Sequence, residues 1–277
     1  MSTHDHDPAR AAWLDELTQY RAARQQRIQS EWGWLSLVAR FVLSAGDNPI
    51  DVGTATFVDG DIEVRLARDV DARDDAGQRI STHRWPAGGK DGGPYFFVGA
   101  RRYEVLRQGD RAAIRVRDNT ATARTQFPGL RFFAPDARFN VVARLERAGA
   151  PATIALAQGL GGEVHHACPG ALVFTLDCRE HRLLPVVEAD APDKYFLLFR
   201  DLTNGQQSYG AGRFLYLEPA HQLGAVQLDF NRAFSPPCAL TVFAACPVVP
   251  RENHLHIAVT AGELAPPSPH TSPAHRR

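Results

Sequence analysis

From Trp34 onward the chain never sustains a helical period; it runs in short apolar stretches, each closed by Gly, Asp, Asn or Pro. Punctuation at that frequency leaves room for strands and tight turns and little else. Thr54–Val58 and Asp61–Leu66 flank Asp59-Gly60, the dipeptide that suits a two-residue hairpin turn because both positions tolerate positive φ. Tyr95–Val98, Arg102–Leu106 and Ala112–Val116 read as further strands, and the Asp-, Gly- and Arg-rich stretch 67–93 between them reads as an irregular excursion. Gly88-Gly-Lys-Asp-Gly-Gly93 lacks the Gly-Lys-Ser/Thr order and following helix of a phosphate loop, so it is expected to be a turn. Phe139–Leu145, Ala171–Leu176 and His181–Val187 continue the series, the last two around Asp177-Cys178, and Tyr195–Phe199 is apolar throughout, as a strand covered on both faces would be.

One segment breaks this pattern. Asp7 and Pro8 form a helix start, and Trp13, Leu17, Tyr20 and Ile28 mark an apolar stripe to about residue 29. Arg21, Arg24 and Arg27 are assigned to the opposite face, and Asp15 and Glu16 interrupt the basic character, so the helix is expected to dock on a β body. The predicted fold is mainly β: an N-terminal helix (1–30), then two consecutive antiparallel β modules (31–120 and 121–263), each a sandwich or partly open barrel, then a disordered tail (264–277).

Composition narrows the function classes. The 277 residues carry 31 basic and 31 acidic side chains, so no global field recruits nucleic acid or an anionic membrane. No apolar run approaches the roughly 18–20 residues of a membrane span, and the N-terminus lacks a secretory pattern. A cytoplasmic location is expected, with the four cysteines as thiols. Lys90 and Lys194 are the only lysines, so arginine, the better partner for planar anions, supplies nearly all positive charge.

Polar residues then crowd the stretch from Asp201 to Glu263. Phe127-Pro-Gly-Leu-Arg-Phe-Phe133 with Asp136, Phe199-Arg-Asp-Leu-Thr-Asn-Gly205, Tyr209-Gly-Ala-Gly-Arg-Phe-Leu215 and Leu228-Asp-Phe-Asn-Arg-Ala-Phe234 resemble a prokaryotic family known as domain of unknown function 1684. The resemblance continues through Pro236-Pro-Cys238, Cys246-Pro247, Glu252-Asn253 and Ala261-Gly-Glu263, and covers most of residues 95–263. It implies a site location but names no reaction. Against the family pattern, the loop after Gly46-Asp-Asn48 looks short, Cys178 stands where an Asp-Gly turn has glycine, and His254 and His256 replace a basic residue and a proline. The first module loosely resembles a forkhead-associated sandwich but lacks that fold's phosphate-reading Gly-Arg and Ser-x-x-His residues.

Within this stretch, Arg213–Leu217 and Val226–Phe230 read as an antiparallel hairpin whose register sets Arg213 opposite Asp229. That pair is either an internal ion pair or an anion receptor oriented by its carboxylate. Tyr209, Asn231 and Arg232 are candidates to line a pocket for a carboxylate or phosphate, and Glu252 to orient the ligand or move a proton. Cys238 and Cys246 are either buried thiols or a reactive pair, and with His254 and His256 they have the donor types, though not the usual spacing, of a zinc site. Gly205-Gln-Gln-Ser208 is no nucleophile elbow, and Gly210-Ala-Gly212 lacks a third glycine. The expected ligand set is Tyr209, Arg213, Asp229, Asn231, Arg232, Cys238 and Glu252, acting on a small anionic partner with no cofactor or metal. The competing expectation is a non-catalytic module in which these residues form an internal polar network. Whether the protein is an enzyme, and its oligomeric state, stay open at this level.

Overall fold

A computed structural model describes residues 7–89, 92–157, 160–219 and 224–267. Helix α1 spans Pro8–Gln29; the Asp7 carboxylate accepts from the Ala9 amide at 3.0 Å and Pro8 opens the first turn, as the sequence signals require. Leu17 and Ile28 are buried, and so is Arg24. Arg24 was expected to face outward with Arg21 and Arg27, but it lies four residues after Tyr20 and four before Ile28. Helical geometry therefore places it on the apolar stripe, where a buried carboxylate meets it.

The first β body holds β1 (Leu37–Leu43), β2 (Gly46–Ile50), β3 (Gly53–Val58), β4 (Asp61–Leu66), β5 (Ala72–Asp74), β6 (Arg79–Ile80), β7 (Thr82–Trp85), β8 (Gly92–Val98), β9 (Arg101–Gln108) and β10 (Arg111–Asp118). They form two sheets, ordered β1-β10-β9-β8-β5-β6 and β2-β3-β4-β7, whose inner faces share one apolar core. The stretch 67–93, expected to be irregular, contains β5, β6 and β7. Trp85 supplies the driving force for β7: its indole is buried in the shared core, so even this polar, turn-rich stretch is drawn into the ladder beside β4. Lys90 and Asp91 of the Gly-rich run fall outside the described residues.

The second body contains the short helix α2 (Thr122–Thr125) and then β11 (Asn140–Ala157), β12 (Glu163–Leu176), β13 (Arg179–Leu183), β14 (Val186–Glu188), β15 (Ala191–Phe199), β16 (Arg213–Leu217) and β17 (Ala225–Asp229). The sheet order is β16-β15-β14-β12-β11-β17, with β13 paired to β12 beside that path. The single strand expected over His181–Val187 divides at Leu184-Pro185, because proline brings no amide to the ladder. The expected β16–β17 hairpin is also overturned. β16 pairs with β15 (Phe199 opposite Arg213), while β17 pairs with β11 (Asn140 opposite Asp229). The apolar stretch Tyr195–Phe199 of β15 is buried throughout and pairs one edge with β16, so β16 and β17 stand at opposite ends of the sheet order.

Beyond β17 the chain is mostly irregular yet tied down by backbone bonds. Single bridges join Phe214 to Phe234, Arg200 to His254 and Phe132 to Glu263. Glycine at 262 is obligatory: its φ is +80°, and an added Cβ would lie 2.6 Å from the Ala233 carbonyl oxygen. Among the described residues, no helix is long and apolar enough to cross a membrane.

Two predictions follow from local geometry. The β12–β13 turn holds Asp177 at φ 50° and Cys178 at φ 58°, the left-handed pair that the second position fills with glycine at least cost. We expect Cys178→Gly to stabilise the protein by about 0.5–1 kcal/mol in urea unfolding, since it relieves left-handed strain. Glu104 is buried among Arg102, Arg115 and Arg117 at 2.5, 2.9 and 2.8 Å. Burial pushes its carboxyl up, but the three guanidinium groups prevail and hold it below the usual glutamate range. Its contribution is therefore complete above the ordinary glutamate pKa and is lost as pH falls through the lowered folded-state value. We expect Glu104→Gln to cost about 3 kcal/mol near pH 7, with the gap from wild type narrowing as pH falls below the ordinary glutamate range.

Candidate functional site

The seven residues expected to form one ligand set are dispersed over three groups and a surface position. The first group is centred on Arg213, at the start of β16, whose side chain is 0% exposed. Gly212, at φ +112°, makes this entry possible, since a Cβ there would stand 2.7 Å from the Phe199 carbonyl oxygen. Arg213 does not pair with Asp229. Its Nη2 donates to Asp201 Oδ2 at 2.7 Å and to the Val259 carbonyl at 2.8 Å, and Nη1 donates to the Ala261 carbonyl. Burial pushes the guanidinium pKa down while Asp201 holds it up. Asp201 in turn accepts from the Thr203 amide at 2.8 Å and the Val259 amide at 3.2 Å through Oδ1. The following loop closes on itself: Asn204 accepts from the Asp201 amide and donates to Ser208 Oγ and the Tyr209 carbonyl. Arg213 Nε and Ser235 Oγ are buried without a partner.

Asp229, Asn231 and Arg232 belong to the docking surface of α1. Asp229 Oδ1 caps the 3-10 turn Phe230–Arg232 by accepting from the Asn231 amide at 3.0 Å. Its Oδ2 accepts from Trp13 Nε1 at 2.9 Å. Asn231 is fully buried and reads both backbone groups of Asp136, each at 2.9 Å. Arg232 reaches Glu16 at 3.0 Å and Asp229 at 3.6 Å, and Tyr20 donates to its carbonyl at 2.8 Å. Nearby, Arg24 pairs with Glu263 at 2.9 Å, both side chains buried, and Glu263 also accepts from the Ser235 amide at 2.8 Å.

Tyr209 and Cys238 form the third group. The Tyr209 hydroxyl donates to the Cys238 carbonyl at 3.2 Å, and the Cys238 amide donates to Cys246 Sγ at 3.1 Å. Both cysteines are free and half-buried. Glu252 stands apart, exposed on the 3-10 turn Arg251–Asn253; its neighbour Asn253 is the buried residue, bonded to Leu184 and Leu198.

Sequence reasoning missed Asp201 as the partner of Arg213, Glu263 as that of Arg24, and Trp13 as a donor. The usable signal was a charged residue within an apolar stripe or run: Arg24 on the helix face and Glu263 after Ala261-Gly262. The residues of the ligand set line none of the described cavities. One of these, an open hollow of about 630 Å³, is bordered by Asp74, Asp75, His83 and Tyr95 of the first body.

A sequence profile described as "Protein of unknown function (DUF1684)" matches residues 125–264, which include all seven candidates. An uncharacterized protein of Haloarcula marismortui, solved by solution NMR, is 37% identical, covering 51% of this chain and 78% of its own, with a TM-score of 0.43. No curated protein matches the chain.

Removing one member of an enclosed pair strands the other charge, whereas removing both does not. We expect Arg213→Met and Asp201→Leu each to cost about 3–5 kcal/mol, and the double substitution to cost clearly less than their sum. Urea unfolding of the four proteins measures this; additive losses would refute a paired role.

Proposed function

Since the chain belongs to the DUF1684 family of proteins of unknown function, whose name carries no activity, we propose that it is a non-catalytic module for interaction or support. In this reading the motif residues are an internal polar frame. The single observation behind the reading is the complete enclosure of Arg213, its two Nη groups taken by Asp201 and by backbone carbonyls of the C-terminal segment. A residue meant to seize an anion keeps a donor open toward solvent; here both Nη groups meet protein acceptors and Nε is buried.

The small-anion reading has one observation in its favour. Arg232 reaches solvent, with 34% of its side chain exposed. Yet Glu16 and Asp229 already neutralise it, so an incoming carboxylate or phosphate must displace an internal one. Hydrolysis has less support still: within the frame no hydroxyl nucleophile is bonded to a histidine or a free carboxylate.

The test is a thermal-shift titration with carboxylates and organophosphates at constant ionic strength, because a ligand specific to the folded state raises apparent stability. We expect no saturable rise in Tm. A saturable rise that disappears in folded Arg232→Ala would overturn the frame reading in favour of anion binding.

A further inference from the structure

After the 3-10 turn Pro237–Ala239 the chain crosses onto the edge strand β1, where Thr241 Oγ1 donates to the Leu37 carbonyl at 3.0 Å. Four side chains from remote parts of the sequence serve this crossing: Cys238, Cys246, Tyr209 and Arg40. The Cys238 amide donates to Cys246 Sγ at 3.1 Å, which sets the Cys246 sulfur against the Cys238 backbone. The Tyr209 hydroxyl reaches the Cys238 carbonyl and acts on its thiol. Arg40, on β1, carries a buried Nη1 with no acceptor, and its charge is felt at Cys246. A buried guanidinium N–H without a partner is costly to keep. An anionic Cys246 sulfur stands in the field of this charge.

We propose that Cys238 and Cys246 are a reactive dithiol, oxidised by hydroperoxides to an intramolecular disulfide, with Tyr209 supporting the Cys238 sulfur and Arg40 the Cys246 sulfur as each becomes anionic. The site is separate from the polar frame and holds whether or not that frame binds anions. The Cys238 thiolate attacks a peroxide oxygen: an S–O bond forms, the O–O bond breaks, and the leaving alkoxide takes up a proton. Cys246 sulfur, giving up its proton, then attacks the Cys238 sulfenic acid; the S–S bond forms, the S–O bond breaks, and water leaves. In total the dithiol and ROOH give the disulfide, ROH and water, two electrons passing from the sulfurs to the peroxide. A small dithiol reverses the change by exchange through a mixed disulfide, becoming a disulfide itself.

The order of events follows from the surroundings of each sulfur. The hydrogen bond from Cys246 draws the Cys238 thiol down, burial opposes it, and Tyr209 assists, so Cys238 is the nucleophile. Donation to Cys238, with burial, holds Cys246 protonated at first; once the Cys238 sulfur is oxidised that donation is lost, and the Cys238 amide and the Arg40 charge favour the Cys246 sulfur as it gives up its proton. The pair also suits bridging because the residues between the two cysteines form no strand that closure must break. The remaining cysteines are internal controls. Cys178 is exposed in the β12–β13 turn, and Cys168 faces the Gly170 carbonyl at 3.5 Å.

The test uses the full, reduced chain treated with equimolar hydrogen peroxide, quenched by alkylation and mapped by mass spectrometry without reduction. We expect a Cys238–Cys246 cross-linked peptide that dithiothreitol reverses, while the more exposed Cys178 remains alkylated. Oxidation of Cys178 ahead of the pair, or Cys238 sulfinic acid without a cross-link, overturns the proposal. In Cys246→Ser, verified as folded by circular dichroism, the reaction should halt at a sulfenic acid that dimedone traps; an absent adduct counts against Cys238 as nucleophile. Arg40→Met and Tyr209→Phe should slow cross-linking about threefold or more by weakening thiolate support. Unchanged rates in both refute the roles given to these two residues.

Discussion

The enclosed Arg213–Asp201 pair is the constraint on which the second body depends. Taking two charges out of water costs several kcal/mol for each ion, and attraction alone does not guarantee recovery. Here the cost is offset because both partners are served by further bonds. Asp201 accepts amides from Thr203 and Val259, and Arg213 donates to the carbonyls of Val259 and Ala261. Three chain segments distant in sequence are thereby held at one point: the loop after β15, the first residue of β16 and the irregular stretch near residue 260. A hydrophobic replacement of equal volume fills the same space without specifying which segments meet there.

Arg24 and Glu263 repeat the device at the edge of the body. Glu263 stands two residues beyond Ala261, so the two pairs anchor adjacent positions of the same irregular segment. One pair ties that segment to the sheet and the other ties it to α1. Apolar contacts operate alongside, with Phe230 packed against Phe174 and Phe199, and the Arg24 guanidinium 4.7 Å from the Phe234 ring centre. Such contacts are permissive about register. The ion pairs are not, because a shift of one residue leaves a charge buried alone.

What could be read from sequence divides along the same line between local and remote information. The Asp7-Pro8 helix start, the Asp59-Gly60 hairpin and the limits of β4 and β16 depend on neighbours within a few residues, and all were legible. Along β17 Val226 and Leu228 are buried and Gln227 is exposed, but the alternation ends at Asp229, which is buried with Asn231. The partner of Arg213 was not legible, because side-chain alternation fixes which face a residue occupies without naming the strand beside it. The most economical assumption, that consecutive strands pair, sent β16 to β17 and Arg213 to Asp229. The apolar run Tyr195–Phe199 of β15 decided otherwise, since β16 satisfies the backbone groups along its edge. Arg24 was misplaced for a simpler reason: its charge was weighed above its position on the stripe.

The frame and the cysteine pair then stand in a definite relation. Asn204, fixed by Asp201, donates to the Tyr209 carbonyl, and the Tyr209 hydroxyl donates to the Cys238 carbonyl. These contacts lead in steps from the loop beside the ion pair to the Cys238 backbone, short of the thiols. At their far end the constraint relaxes: the residues after Cys238 are irregular, and both sulfurs are only half-buried. Loop-closure entropy rises slowly with length, so bridging cysteines only eight positions apart limits what the bridge alters in the unfolded chain. The rigid part of the motif accordingly holds Tyr209 steady while the sulfur chemistry is confined to a short surface crossing, where a bond can form or break without disturbing the ion pairs beneath it.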